Sequence, residues 1–286
     1  MDDIVKETTI PKESTSSPHL DRGWRRYLNI YGALCRNSVM RDMQFKANFL
    51  LWIVVEVLWF GLQITFITVI YSHTDHIGSW SRYEVIFLIG AANFIEQFFH
   101  AIFLNNITQL SEHIRTGRLD FMLLLPVNSR FLVSLRTMDL GSYVSTIAAI
   151  TVMVYAGLQL ELRPTPIHFI GFGLMSLCGI MIHYSLMLIL ASISFWTIKA
   201  EGFAWGYYNL FNVARLPDAA FKGGFKAFFT FAIPMLLIAN VPTKFFIQKL
   251  QSPLEVVWLI LMAGACLAAS EAIWRFAMKY YTSASS

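Results

Sequence analysis

The sequence predicts an all-α polytopic membrane protein with six transmembrane helices, from its composition and from the lengths of its apolar segments. Of its 286 residues, 56% are hydrophobic and only 14% are charged, whereas soluble domains are roughly one-quarter charged. A helix needs about 20 apolar residues to cross a bilayer core about 30 Å thick, and six segments meet this requirement. The predicted spans are roughly 49–71, 85–104, 138–160, 167–198, 225–247 and 254–278.

Two segments of different composition precede the first span. Residues 1–20 are polar and rich in Ser, Thr and Pro, without the apolar run of a signal peptide, which predicts a disordered tail. Residues 21–46 place apolar side chains at helical spacing between arginines. This pattern predicts an amphipathic helix in the membrane interface, the alternative being a solvated helix that extends the first span. Residues 47–281 then form the six-helix transmembrane domain.

The fourth and fifth segments depart from a plain span. The fourth is longer than one crossing requires, which indicates a strong tilt or an extension beyond the headgroups. The fifth contains Pro234 and Pro242, and each proline removes a backbone donor. We therefore predict that this helix kinks and ends near Asn240, which makes residues 240–253 a candidate re-entrant element.

The basic residues predict the orientation of the spans, because lysine and arginine gather on the cytoplasmic side of a membrane protein. With a cytoplasmic N-terminus, the tail, the second-to-third connection and the C-terminus are basic and cytoplasmic. The fourth-to-fifth connection is predicted to be cytoplasmic as well, and it contributes Lys199, Arg215, Lys222 and Lys226. The basic residues predicted on the opposite side of the membrane are only Arg82, Arg163, Lys244 and Lys249. This distribution places both termini in the cytoplasm and accounts for the net charge of +4 without a nucleic-acid partner.

Missing motifs argue against an enzyme. The chain lacks GxxxxGK[ST], the usual loop for cradling ATP phosphates, and it also lacks GxSxG, HExxH and GxGxxG. Its three cysteines lie far apart and its seven histidines are scattered. We therefore predict no catalytic residue, no metal site and no cofactor in this chain.

Polar side chains inside the first two spans are the remaining candidates for chemistry. The first span contains Glu56 and Gln63 on one face. The second contains one stripe at helical spacing, formed by Asn93, Glu96, Gln97 and His100. Ionisable groups at membrane depth cost several kcal/mol unless they face a partner or water. Three uses remain open for them: lining a substrate path, joining helices across a dimer, or relaying protons. His183, in the fourth span, is expected to be a packing histidine.

The connection after the second span combines a charged helix with a short apolar run. The pattern of residues 106–117 predicts a helix that ends at Gly117 and has Leu110 and Ile114 on one face. Asp120 follows the stop and can cap the next turn or pair with an arginine. The run FMLLLP then returns the chain toward the membrane. On physical grounds, a helix that contacts a soluble partner and a plain loop both remain open.

Two runs of the sequence resemble a known family. The run IRTGRLDFMLLLPVNSRFLVSLR resembles the segment after the second span in the ABC-2 type permeases of ATP-binding-cassette exporters. It is most similar to the six-span branch with a GxLDxxLLxP pattern, matched here by Gly117, Leu119, Asp120, Leu123, Leu124 and Pro126. A second likeness is SFWTIKAEGF, in which a Phe-Trp pair ends the fourth span, followed by an Arg-x-Pro and further prolines. The likeness covers most of residues 25–280.

The resemblance implies a permease subunit of an exporter in a bacterial inner membrane. Such a subunit forms a homodimer, or a heterodimer with a related permease, and the dimer binds two copies of an ATP-binding cassette subunit. The resemblance also implies that spans one, two and five line the substrate path. It further implies that residues 106–120 form a coupling helix against the ATPase, with contacts from Leu110, Ile114, Arg115, Gly117, Arg118 and Asp120.

A second class of function remains an alternative. A proton-coupled secondary transporter could use Glu56, Glu96 and His100 to carry protons across the membrane. Many secondary transporters are built from internal repeats, and no repeat is evident in this chain. The exporter subunit is therefore the preferred hypothesis.

Overall fold

The computed structural model describes residues 23–44, 46–197 and 201–281. Within these ranges the chain is helical, with one isolated β-bridge and no named strand, so the all-α fold is confirmed. The predicted disordered tail, residues 1–20, lies outside the described residues, as does Lys199.

Five helical rods in the described chain are long and apolar enough to cross a membrane, in agreement with five of the six predicted spans. They are α2 (Lys46–Ile70), the rod that begins with α3 (Arg82–Phe99), α8 (Leu140–Gln159), α9 (Pro166–Ser192) and α13 (Leu254–Lys279). The second rod continues past α3 through a π-helical turn (His100–Leu104), α4 (Asn105–Thr108) and α5 (Leu110–Arg115).

The remaining helices are short, apart from the N-terminal one. They are α1 (Trp24–Gln44), α6 (Arg118–Leu123), α7 (Ser129–Leu135), α10 (Glu201–Leu210), α11 (Gly223–Ala227) and α12 (Met235–Phe246). We name the two ends of the bundle by the segments found there. The loop end is where residues 71–81 join α2 to α3. The α1 end is where α1 lies with the connection 116–139.

Helix α3 is at the centre of the bundle and α2 is at its edge. In the most apolar stretch of the α3 rod, 83% of the residues are buried, by packing against α8, α9 and α12. In α2 the corresponding share is 6%, so one broad side of the helix is open to lipid or to another chain while the other side packs on α3 and α8. Apolar side chains cover that open surface, including Trp52 and Trp59.

The predicted fifth span, 225–247, does not run from one end of the bundle to the other. Near its start, Lys226 Nζ lies 3.4 Å from an Asp218 carboxylate oxygen, and near its finish Lys244 Nζ lies 2.8 Å from the same oxygen. Lys244 also pairs with Glu255, in the first turn of α13, at 2.9 Å. Both ends of the segment are therefore close together in space.

Contacts with the loop between α2 and α3 show at which end of the bundle the two ends of the segment 225–247 lie. A Cβ built on Gly78 would come within 2.7 Å of the Ala219 Cβ. Lys249 Nζ pairs with the Glu84 carboxylate at 2.6 Å. Residues 223–246 therefore form a hairpin that enters the bundle from the loop end and returns to it, with an angle of 88° between its two arms.

Residues 201–215 connect the two ends in place of the predicted span. At the α1 end, the Phe195 ring lies 5.7 Å from the rings of Trp274 and Tyr281. The chain then continues through α10 and the 3-10 helix Phe211–Arg215 to the loop end. Ten α-helical and five 3-10 residues extend about 25 Å, close to the thickness of a bilayer core. Consequently Lys222 and Lys226 lie at the loop end, and the prediction that they share a side with α1 is wrong.

The two prolines act differently from the prediction. The sharp bend is at Pro234, between the π-helical turn Phe228–Ala232 and α12. Pro242 is tolerated inside α12, so the helix does not end near Asn240. Pro242 leaves the Ile238 carbonyl without its usual donor, and this carbonyl lies against Gly179 of α9, where a Cβ would come within 2.8 Å of its oxygen.

Helix α1 is bound to the connection before α8. Ser38 Oγ accepts a hydrogen bond from the Met138 N–H at 3.0 Å, and Arg41 donates to the Met138 carbonyl at 3.2 Å. Nearer the start of α1, the Tyr27 ring contacts the Phe131 ring edge-on at 5.0 Å. These contacts, from Tyr27 to Arg41, dock α1 on the connection as a separate helix.

The hairpin gives a topology prediction that does not depend on which side is cytoplasmic. A single cysteine at the exposed position Lys222 should react with a membrane-impermeant reagent from the same side as cysteines at Ser79 and Gln251. A cysteine at Arg118 should react from the opposite side. Labelling of position 222 together with position 118 would show that 225–247 crosses the membrane after all.

The close approach of α12 to α9 gives a stability prediction with a control in the same helix. Gly179→Ala must displace the α12 backbone, and overpacking of this kind costs about 1–3 kcal/mol. A Cβ on Gly173 meets nothing within 4 Å, so Gly173→Ala should be neutral or stabilising by up to about 1 kcal/mol. Thermal unfolding of the purified variants measures both. Equal melting temperatures would contradict the packing described.

Candidate functional site

The polar stripes of α2 and α3 meet side by side at membrane depth. The Asn93 amide donates to the Gln63 side-chain oxygen at 3.0 Å, and the Gln97 amide donates to a Glu56 carboxylate oxygen at 3.0 Å. Asn93 and Gln97 are buried, and the two bonds span 30 and 41 residues of sequence. The predicted residues of the two spans are therefore brought together within one chain.

Glu96 is paired with a residue that sequence reasoning missed. Its carboxylate accepts a hydrogen bond from the Arg215 guanidinium, and this ion pair is almost completely buried, with 2% and 12% of the two side chains exposed. Arg215 also donates to Asn212. Arg215 was predicted to lie in a cytoplasmic connection, although its apolar neighbours in FNVARLP were a signal that it lies inside the bundle.

The pair holds the short crossing segment against α3. Breaking a buried ion pair by removing one partner costs about 3–5 kcal/mol, because a charge is left uncompensated away from water. Arg215 ends the 3-10 helix that follows α10, and Glu96 is in the middle of α3. This interaction therefore fixes where residues 201–215 pass through the bundle.

His100 lies where α3 changes from α to π geometry. Its side chain is only 6% exposed, its Nε2 has no hydrogen-bond partner, and its ring lies 5.1 Å from the Tyr208 ring of α10. Single π turns inside helices occur frequently at functional sites. His183 shares a hydrogen bond from Nδ1 with Tyr207 at 3.2 Å and contacts the rings of Phe99 and Phe211, in agreement with a packing role.

Two cavities lie on either side of Glu56. The larger has a volume of about 620 Å³ and is nearer the α1 end, between α1, α2, the π turn, α8 and α10. The smaller, about 430 Å³, is on the surface between α2 and α10. Glu56 and Tyr208 line both, and the Glu96–Arg215 pair lines the smaller one. The polar residues of the first two spans thus border space large enough for a small ligand.

The connection after the second span is folded differently from the expected coupling helix. Leu110 is fully buried and Ile114 packs against the core, so Leu110 cannot offer an apolar face to a partner. The physical reason is that α5 continues the α3 rod and keeps its inward face. Arg115 pairs with Glu112 at 2.7 Å on the surface, and Arg118 is exposed.

The residues of the pattern that begins at Gly117 have structural roles. Gly117 has a φ of +69°, which glycine adopts readily, and this ends α5 as predicted. Leu119 is fully buried, and Asp120 accepts a hydrogen bond from the Tyr281 hydroxyl at 2.8 Å. Burial and the Asp120 carboxylate raise the pKa of Tyr281 to about 12. In contrast, Phe121 is 74% exposed and is open to lipid or a partner.

Helix α7 is joined to the membrane spans by a second group that the sequence analysis did not single out. Arg130 donates to the Tyr184 hydroxyl of α9 at 3.0 Å and to Ser270 of α13 at 3.1 Å. It also forms an ion pair with Glu271 of α13. A displacement of α7 would therefore be transmitted directly to α9 and α13.

Among the described residues, no cluster of His, Cys, Asp or Glu has the arrangement of a metal site. Comparison with known proteins gives one family. A family model described as ABC-2 family transporter protein matches residues 57–285. No curated protein matches the chain.

The buried ion pair makes a stability prediction. Arg215→Met leaves Glu96 without its cation and should lower the free energy of unfolding by about 3 kcal/mol or more, whereas adding Glu96→Leu should recover most of the loss. The control is Arg115→Met, which breaks the exposed pair with Glu112 and should cost less than about 1 kcal/mol. Chemical unfolding in micelles ranks the variants. A double variant no more stable than Arg215→Met would contradict the pairing.

Proposed function

The chain belongs to the ABC-2 family of transporter proteins, and we propose that it is the permease subunit of an exporter driven by a separate ATP-binding cassette subunit. The observation that carries the proposal is the polar group formed by Glu56, Gln97, Glu96 and Arg215. It is held inside an otherwise apolar bundle and borders two cavities. Such groups are costly in a membrane and are retained where they serve transport.

The substrate path is proposed to run along the face formed by α2 and α10. This face is open in the single chain, and α10 exposes Asn209 in the same stretch as Trp205. The Asn209 side-chain amide donates to the Trp205 carbonyl at 2.9 Å, and lipid offers no hydrogen-bond partner to the rest of this exposed polar group. A second permease chain or a water-filled path is therefore the suitable neighbour. A homodimer, or a heterodimer with a related permease, would place two such faces opposite each other.

The energy for transport is proposed to enter at the α1 end. Two ATP-binding subunits would bind the surface formed by α1 and the segment 115–125, where Arg115, Arg118 and Phe121 are exposed. Movement there would reach α13 through the Asp120–Tyr281 hydrogen bond and through the group around Arg130 described above. The chain itself lacks a phosphate loop, so hydrolysis belongs to the partner.

The α1 end is proposed to be cytoplasmic, in a bacterial inner membrane. Arginines are concentrated there, with Arg25, Arg26, Arg36, Arg41, Arg115, Arg118, Arg130, Arg136 and Arg275. At the loop end, three of the lysines are neutralised by carboxylates, as Lys226, Lys244 and Lys249 form ion pairs. The asymmetry therefore favours the predicted orientation even after the correction to the fifth span.

A proton-coupled secondary transporter is less well supported. It would require Glu96 to gain and lose a proton during transport. Glu96 is already engaged by the Arg215 guanidinium in a buried ion pair, and a proton on Glu96 would break that pair and leave the guanidinium buried without a counter-ion. The ATP-driven exporter subunit is therefore the function that the structure supports best.

Purification provides the first test. A tagged chain isolated from its native membrane should bring with it an ATP-binding cassette subunit, and the chain alone should hydrolyse no ATP. Phe121→Asp should weaken that association by about thirtyfold, since a truncated apolar anchor typically costs 2 kcal/mol or more. Phe121 is a cleaner probe than Ile114, whose side chain also packs against the core.

Leu254→Asp is the matched control, because it places the same charge at an exposed apolar position at the loop end. It should leave the association unchanged. If Phe121→Asp and Leu254→Asp behave alike, the α1 end is not the contact surface. Hydrolysis of ATP by the isolated chain would contradict the proposed function itself.

A further inference from the structure

We propose that the 620 Å³ cavity binds an organic cation, with Glu56 as its counter-ion and aromatic side chains as its walls. The proposal rests on the proposed transport function and names the substrate class of the same site. It follows from the charge balance of the cavity, from the aromatic residues around it, and from one buried polar atom that lacks a partner.

The charges that line the cavity are mostly negative. Its ionisable side chains with a formal charge are Arg41, Asp42, Glu56 and Asp139. Arg41 and Asp42 pair with each other at 3.2 Å and cancel. The Asp139 carboxylate is used at the start of α8, where it accepts from the Gly141 N–H at 3.0 Å and from the Ser142 hydroxyl at 2.7 Å.

Glu56 is the carboxylate left for a ligand. Its hydrogen bond comes from the neutral Gln97 amide, and no lysine or arginine of the described chain forms an ion pair with it. The nearby Arg215 guanidinium is committed to Glu96. A carboxylate away from bulk water is stabilised most by a cation, so a positively charged ligand would gain more here than a neutral or negative one.

The walls of the cavity suit a cation with an apolar body. Phe49, Trp52, Trp205 and Tyr208 line it, and aromatic faces attract ammonium and similar cations as well as apolar groups. The volume lies within the range of small-molecule sites. An anionic substrate would need a free cation, but Arg41 is held by Asp42 and by the Met138 carbonyl.

His100 supplies an independent indication that the cavity has room for a polar ligand group. Its ring lines the cavity and is 94% buried, yet its Nε2 atom has no partner within the described chain. Buried polar atoms in proteins are nearly always hydrogen-bonded. A ligand N–H or O–H placed between Glu56 and His100 would satisfy both.

The test compares two probes of nearly the same shape and opposite charge. The full chain in lipid nanodiscs is equilibrated with tetraphenylphosphonium or with tetraphenylborate, and empty nanodiscs correct for partition into lipid. Tetraphenylphosphonium should bind saturably and at least about tenfold more tightly than tetraphenylborate, because a close charge pair shielded from bulk water is worth more than that. Equal binding of the two probes would overturn the proposal.

Variants identify the counter-ion. Glu56→Gln keeps an oxygen for the Gln97 amide but removes the charge, and it should weaken tetraphenylphosphonium binding by about tenfold or more. Glu161→Gln, at an exposed carboxylate between α8 and α9, should have no effect. Trp52→Leu, at a position 58% exposed, should weaken binding without disturbing the fold. Unchanged binding in Glu56→Gln would show that Glu56 is not the counter-ion.

The result is separable from the test of the proposed function. Binding is measured on the permease alone and needs no ATPase. If the chain binds the cation but no ATP-binding subunit accompanies it, the exporter assignment fails and the binding site stands. If the ATPase accompanies the chain but the two probes bind equally, the substrate class fails and the exporter assignment stands.

Discussion

The interaction on which the rest of the structure depends is the buried ion pair between Glu96 and Arg215. A membrane interior has no water to replace a lost partner, so each of these charges is acceptable only because of the other. Their attraction holds a segment of only fifteen residues, 201–215, as a crossing beside α3. That placement positions Tyr208 near His100 and gives the two cavities their shared wall.

Much of the fold could be predicted because long apolar helices have a strong compositional signal. Five spans, the α1 helix and the turn at Gly117 follow from length, periodicity and the conformational freedom of glycine. The fifth crossing could not be found in this way. Its helix α10 has ten residues, too few for a hydropathy window, whereas the hairpin 223–246 is apolar enough to imitate a span. The tertiary contacts distinguish the two, above all those of Asp218 with Lys226 and Lys244.

The candidate site was predicted in part. The stripe on α3 and the face of α2 were visible from spacing, because helical neighbours three and four residues apart share a face. The partner of Glu96 could not be predicted from spacing, because Arg215 lies more than a hundred residues away in the sequence and its position depends on the short crossing. Leu110 was assigned to an outer face for a related reason. Spacing shows which residues share a face of a helix but does not show which way that face points.

The π turn His100–Leu104 decides which residues after it in the rod face inward. Each residue of an α-helix turns the chain by about 100°, and the wider π turn takes up one extra residue over nearly the same rotation and rise. The inward positions of α4 and α5 are therefore offset by one residue from the spacing counted along α3. Loss of one residue here would be absorbed as ordinary α-helix and would leave Arg115 and the Gly117 stop in place.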